Sequence, residues 1–174
     1  MTSFKSLLKL STVAILAGMF TAGCVSYSFT GVTIPPEVRT IYIPFFSDNS
    51  SSGLGNLSDE LNEALIERFV NQSRLRLISD RDAADAILDG TIVGYRNRPF
   101  SVAGDERATL NRVEISVRAT FKYRTEDRPE WDKSFNGVFE YDPREDPIDG
   151  ERDAVTEAMS RIASNMFNDA LSSW

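Results

Sequence analysis

The 174-residue sequence contains no histidine and a single cysteine, Cys24. Those shortages remove the commonest general base, the commonest soft metal ligands and any nucleophile built on cysteine or on a histidine-activated serine. Catalysis would have to rest on carboxylates alone. Lysine is scarce as well: beyond Gly23 only Lys122 and Lys133 occur, and every other basic residue is arginine. An arginine fork suits carboxylate or phosphate, although a biased base composition in the gene would produce the same pattern. No apolar run reaches the length of about 20 residues that a membrane-spanning helix needs. A formal charge of −7 argues against general affinity for nucleic acid.

What the N-terminus does contain gives Cys24 a meaning. Lys5 and Lys9 precede the uncharged run Leu10 to Phe20, and Thr21-Ala22-Gly23 follow it, which is the layout of an export signal with a small-residue cleavage site. Cleavage after Gly23 would leave Cys24 at the new N-terminus, where bacterial lipoproteins carry their acyl chains. Ala22-Gly23-Cys24 resembles a lipobox, with Thr21 and Phe20 where leucine is commoner. The alternatives, a free cysteine buried in a small core or an unpaired thiol that happens to follow a signal peptide, leave an odd lone cysteine in an exported chain without an explanation. Two or more acyl chains on Cys24 would hold the protein on a membrane surface without spanning it. No acidic residue directly follows Cys24, and by likeness to lipoprotein sorting signals this points to the outer membrane.

The chain therefore divides into a removed signal, 1–23, a lipidated extended tether, 24–37, and one domain, 38–174. The tether holds Gly31 and Pro35-Pro36, which disfavour helix. Val38–Phe46 has the β-branched and aromatic content of a strand with two apolar faces. Asn56, with Asp59 three residues on, suits a helix start, and Leu57, Leu61, Ala64, Leu65 and Phe69 form one buried stripe. Strands are expected at Arg74–Ser79 and Ala86–Asn97, followed by a loop holding Arg98, Pro99, Gly104 and Arg107. From Arg112 to Arg124 apolar and polar residues alternate strictly, and Trp131, Phe135, Phe139 and Tyr141 repeat the pattern on a return strand. A last helix buries Val155, Met159, Ile162, Met166 and Ala170. Grouped strands with two one-sided helices predict an α+β fold: a two-layer sandwich with both helices on one face of a mixed four- to five-stranded sheet.

Candidate sites are few. If residues 125–129 connect the hairpin, Arg124 faces Glu130, Lys122 faces Asp132 and Arg112 faces Asp142; such pairs are ordinary cross-strand stabilisation. Arg118 then faces only Asn136 and is a candidate for external contact. Arg96, Arg98, Arg107 and Arg112 lie at or near the loop joining the third and fourth strands, where three of the four lack an obvious acidic partner. Fixed arginines there can grip phosphate, and solvated loop charges are the alternative. SDNSSSGLGN precedes a helix but lacks the Lys-Ser/Thr that completes a phosphate loop. The acidic stretch around Asp142–Asp153 lacks calcium-loop spacing. Asp82, Asp85 and Asp89 read as turn and cap residues, so no catalytic residue, metal site or cofactor is assigned.

CVSYSFTGVTIPPEVRTIYIPFFSDNS, ATLNRVEISVRATFKY, FEYD and the closing NDALSSW resemble the LptE-type lipopolysaccharide-assembly lipoproteins, over nearly all of the chain beyond Cys24. The resemblance implies two helices on a four-stranded sheet, no enzymatic activity, and a role as plug and folding partner of the outer-membrane β-barrel LptD during lipopolysaccharide transport. It implies lipopolysaccharide contacts by basic side chains near one sheet end, which by position alone extends to Arg96, Arg98, Arg107 and Arg118. A free-standing lipoprotein that binds an envelope polymer or lipid without a barrel is the alternative.

Overall fold

A computed structural model of the chain describes residues 34–101, 109–145 and 149–172. Cys24 and Arg107 lie outside these residues. The elements run β1 (Thr40–Tyr42), β2 (Ser47–Asp48), α1 (Leu57–Ile66) with a π-helical turn (Glu67–Asn71), β3 (Arg76–Leu77), β4 (Ala86–Ser101), β5 (Thr109–Tyr123), β6 (Trp131–Tyr141) and α2 (Asp149–Ser172). They form a mixed sheet in the order β3-β1-β4-β5-β6, with β2 pairing further along β4. Contacts to the sheet and to each other place the two helices over its inner face. This is the expected α+β sandwich, and its first three positions are parallel because β1 and β3 both run with β4.

The strand expected over Val38–Phe46 is interrupted. β1 pairs with Ala86 and Ile87, β2 with Thr91 and Ile92, so the two short strands form one broken line along β4. Pro44 sits in the gap and has no backbone N–H to offer a ladder. Phe46, just after it, still turns into the core. The first helix starts at Leu57, but Asn56 makes no side-chain cap to the backbone; its amide donates instead to Glu60, 3.5 Å away. Leu57, Leu61, Leu65 and Phe69 are fully or almost fully buried, as the stripe predicted. Along α2 the expected stripe is buried and is widened by Ala154, Ala158 and Ala163. Small side chains let the helix lie close to β6: at Gly137 an added Cβ would fall on the Ala158 carbonyl.

β4 is longer than expected, reaching Ser101, which puts Arg98 and Pro99 on the strand rather than in a loop. Arg124 N donates to Asp85 O and Asn49 N to Ile92 O, so odd β4 residues bond β5 and even ones bond the β1–β2 side up to Ile92. A bulge between Ile92 and Gly94 then shifts this phase by one. Pro99 therefore faces the side where β2 has already ended and costs no ladder bond. The β5–β6 hairpin is displaced by two residues from expectation. Arg112 faces Glu140 rather than Asp142, Arg118 faces Ser134 rather than Asn136, and Thr120 rather than Lys122 faces Asp132. A shift of two keeps every side chain on its expected face, so Val113, Ile115, Val117, Ala119 and Phe121 are buried.

Candidate functional site

The face of the sheet away from the helices carries most of the candidate residues. The bulge at Val93 turns Arg96 and Arg98 onto this face, beside the even-numbered side chains of β5. Arg96 Nη2 lies 3.2 Å and Arg98 Nη2 2.8 Å from the two oxygens of Glu114. The pair thus has an acidic partner after all, but two guanidiniums share one carboxylate. Glu114 is held below the ordinary carboxylate range, first by the Arg98 hydrogen bond and then by the charges of Arg98, Arg96 and Arg112, against the opposing effect of burial. The arginines remain 69% and 59% exposed while Glu114 is 17% exposed, so their outer N–H groups face water.

Arg112 is more enclosed. Its Nε and Nη2 donate to Glu140 Oε1 at 3.0 and 2.6 Å, and its guanidinium sits 3.3 Å above the Phe100 ring. Further along the face Arg118, expected to be unpartnered, reaches diagonally to Asp132 at 3.0 Å. Arg124 pairs with Asp85 at 3.4 Å, not with Glu130, and Lys122 donates to the Asp127 carbonyl at 3.4 Å. An open groove of about 540 Å³ runs between Arg81, Asp89, Arg118, Lys122 and Asp132. A second hollow of about 450 Å³, lined by Gly94, Arg96, Glu114, Ser116 and Asn136, adjoins it at Val93. Exposed ion pairs contribute about 0–1 kcal/mol each, so pairs such as Arg118 with Asp132 add little to the stability of the fold.

The remaining acids are structural. Asp85 Oδ2 accepts from Arg39 N at 3.0 Å, Thr40 N at 3.0 Å and Thr40 Oγ1 at 2.8 Å. Asp89 pairs with Arg81 at 2.9 Å, and Asp82 N donates to Asp80. In the loop before α1 the Asp48 carboxylate accepts from Ser50 N at 2.8 Å, and Ser51 and Gly53 have positive φ. On the inner face beyond the bulge, the Tyr95 hydroxyl donates to Glu151 in the first turn of α2. Burial first, and Glu151 second, raise the Tyr95 phenol well above its usual range. Glu114, Glu140 and Phe100 were missed as partners from sequence; the alternation of β5 for Glu114 and of β6 for Glu140 would have placed the two acids beside the arginines once the register was known.

A family model described as LptE, lipopolysaccharide-assembly, matches residues 38–170. Among solved structures, a protein from Xanthomonas campestris is 13% identical, with a TM-score of 0.54 over 82% of this chain and 91% of that one. The PelC dodecamer subunit from Paraburkholderia phytofirmans is 8% identical, with a TM-score of 0.52 over 82% and 94%. At these identities the likeness is one of fold. No curated protein sequence matches the chain significantly.

Proposed function

Because the chain belongs to the LptE lipopolysaccharide-assembly family, a family of non-enzymatic lipoproteins associated with the outer membrane, we propose that it serves there as plug and folding partner of an LptD-type β-barrel. In this reading acyl chains on Cys24 fix it to the membrane, and the domain occupies the wet lumen of the barrel. Arg96, Arg98 and Arg118, with Arg107, meet the phosphates of passing lipopolysaccharide.

The observation that carries the phosphate contact is the sharing of one carboxylate by Arg96 and Arg98. Glu114 cannot occupy all the donors of two guanidiniums, and the unused N–H groups point to solvent. Arginine donors of this kind form charge-assisted bonds with phosphate oxygens. The small polar side chains between the two cationic ends, Ser116, Ser134 and Asn136, leave room for an uncharged saccharide.

The test has two arms. Affinity purification of the full-length lipoprotein from native membranes recovers an LptD-type barrel; its absence favours a free-standing lipoprotein. Separately, purified lipopolysaccharide binds the double variant Arg96→Ala/Arg98→Ala on the order of ten-fold more weakly than the parent, since a hydrogen bond to a charged group contributes about 1.5–3 kcal/mol. Arg161→Ala on α2 leaves binding unchanged. Equal affinity for parent and double variant removes these arginines from the site.

A further inference from the structure

The sheet ends at β6, an eleven-residue strand that forms a ladder with β5 alone. Its other edge has no strand partner among the described residues. The direction of the backbone groups follows from the ladder. Arg124 N donates to Asp85 O and Glu130 N to Phe121 O. Even residues of β5 thus bond β4 and odd ones bond β6, and the registered partners of those odd residues are odd on β6. The N–H and C=O groups of Ser134, Asn136 and Val138 therefore point out of the open edge.

An exposed edge of this length is a template for another strand, and proteins commonly guard it with outward charges, proline or a bulge. β6 has no proline and its ladder with β5 is unbroken. Its charges are paired within the domain: Asp132 with Arg118, Glu140 with Arg112, and Lys133 with Asp169 of α2 at 2.6 Å. Between Lys133 and Glu140 the run SFNGVF carries no charge at all. The edge is thus neutral over six residues, with Ser134 and Asn136 as its polar side chains.

We propose that the open edge of β6 is a docking site for an uncharged, extended segment of another protein, which adds to the sheet as a strand beside Ser134–Phe139. Neutrality of the edge selects a neutral segment, because a charged side chain there would find no counterion. A second copy of this chain fits less well. Two-fold antiparallel pairing with full overlap sets Asp132 opposite Glu140 at both ends, and like charges directly opposite destabilise. The inference extends beyond the barrel reading and does not require it, since the strand is defined by its chemistry and not by its owner.

Amide exchange on the full-length lipoprotein tests this, comparing isolated native membranes with the protein purified alone in detergent. The amides of Ser134, Asn136 and Val138 exchange on the order of ten-fold or more slowly in the membranes, while those of Val113 and Ile115 are slow in both. Val138→Pro deletes one outward donor without touching the β5 ladder and abolishes the difference; Val138→Thr retains it. Should the proline variant fail to fold, the comparison on the parent protein still decides. Equal exchange in membranes and detergent overturns the proposal, as does protection in both with the purified protein sedimenting as a dimer. Failure to recover a barrel counts against the barrel reading alone.

Discussion

At the scale of single residues, Asp85 ties three strands together. One of its oxygens takes two backbone N–H groups and the hydroxyl at the start of β1, its own N–H donates to Thr40 Oγ1 at 3.0 Å, and its other oxygen meets Arg124 at the end of β5. All of the accepted bonds favour the charged carboxylate, so its pKa is lowered, first by the Arg39 N–H and then by the Thr40 hydroxyl. A group lowered in the folded state binds fewer protons there than in the unfolded chain. Its contribution is therefore complete above the ordinary carboxylate pKa of about 3.9 and is lost as pH falls through the lower folded value. Asp85→Ala is expected to cost about 1–3 kcal/mol at neutral pH. In urea melts the gap between parent and variant shrinks below about pH 4; a gap that is constant with pH would mean the carboxylate charge is not what stabilises.

At the scale of elements, the bulge in β4 decides which face the arginines occupy. Inward residues fall at Ala86, Leu88, Gly90 and Ile92, then at Tyr95, a step of three where a regular strand steps by two. Were Val93 an ordinary ladder residue, Arg96 and Arg98 would point into the core and Tyr95 into water. Deleting Val93 removes only the extra residue, so the pairs Ile92 with Val117 and Gly94 with Ser116 survive; stability should change by no more than about 1 kcal/mol. Inserting one glycine after Val93 also makes the spacing from Ile92 to Tyr95 even, so the faces survive without the bulge. Tyr95 to Arg98 then slip two residues along β5, setting Arg96 opposite Arg112 and Arg98 opposite Leu110; this should cost about 1–3 kcal/mol. Thermal or denaturant melts of the two variants separate these outcomes, and near-equal stability would show that the pairing of Arg96 and Arg98 beyond the bulge contributes nothing. The step of three is visible in the sequence, yet it reads as the end of a strand when Arg98 and Pro99 follow it. Helix stripes and the β5 alternation were legible because burial alone dictates them. Arginine partners were not, since a turn shifted by two residues leaves the faces intact while exchanging every neighbour.

At the scale of the whole molecule, the acid excess is unevenly distributed. The two helices with the π-helical turn carry nine carboxylates and three arginines. The opposite sheet face gathers Arg81, Arg96, Arg98, Arg112, Arg118 and Lys122 around four carboxylates, Asp89, Glu114, Asp132 and Glu140. A chain with net charge −7 thus offers an anionic ligand one attractive side and one repulsive side. Such a field acts over about 10 Å at 0.1 M salt and only about 3 Å at 1 M. Lipopolysaccharide-bearing vesicles should accordingly bind the full-length protein with an affinity that falls steadily as salt is raised over that range. Replacing Arg118 and Arg96 by glutamine should flatten the salt dependence, because two of the charges that respond to screening are gone. The same replacement at Arg152 and Arg161 should leave the slope unchanged, since those residues sit on the acidic side. A slope that responds to the α2 arginines and not to the sheet arginines would place the anion on the helical face, and the sheet face would then be free to meet protein alone.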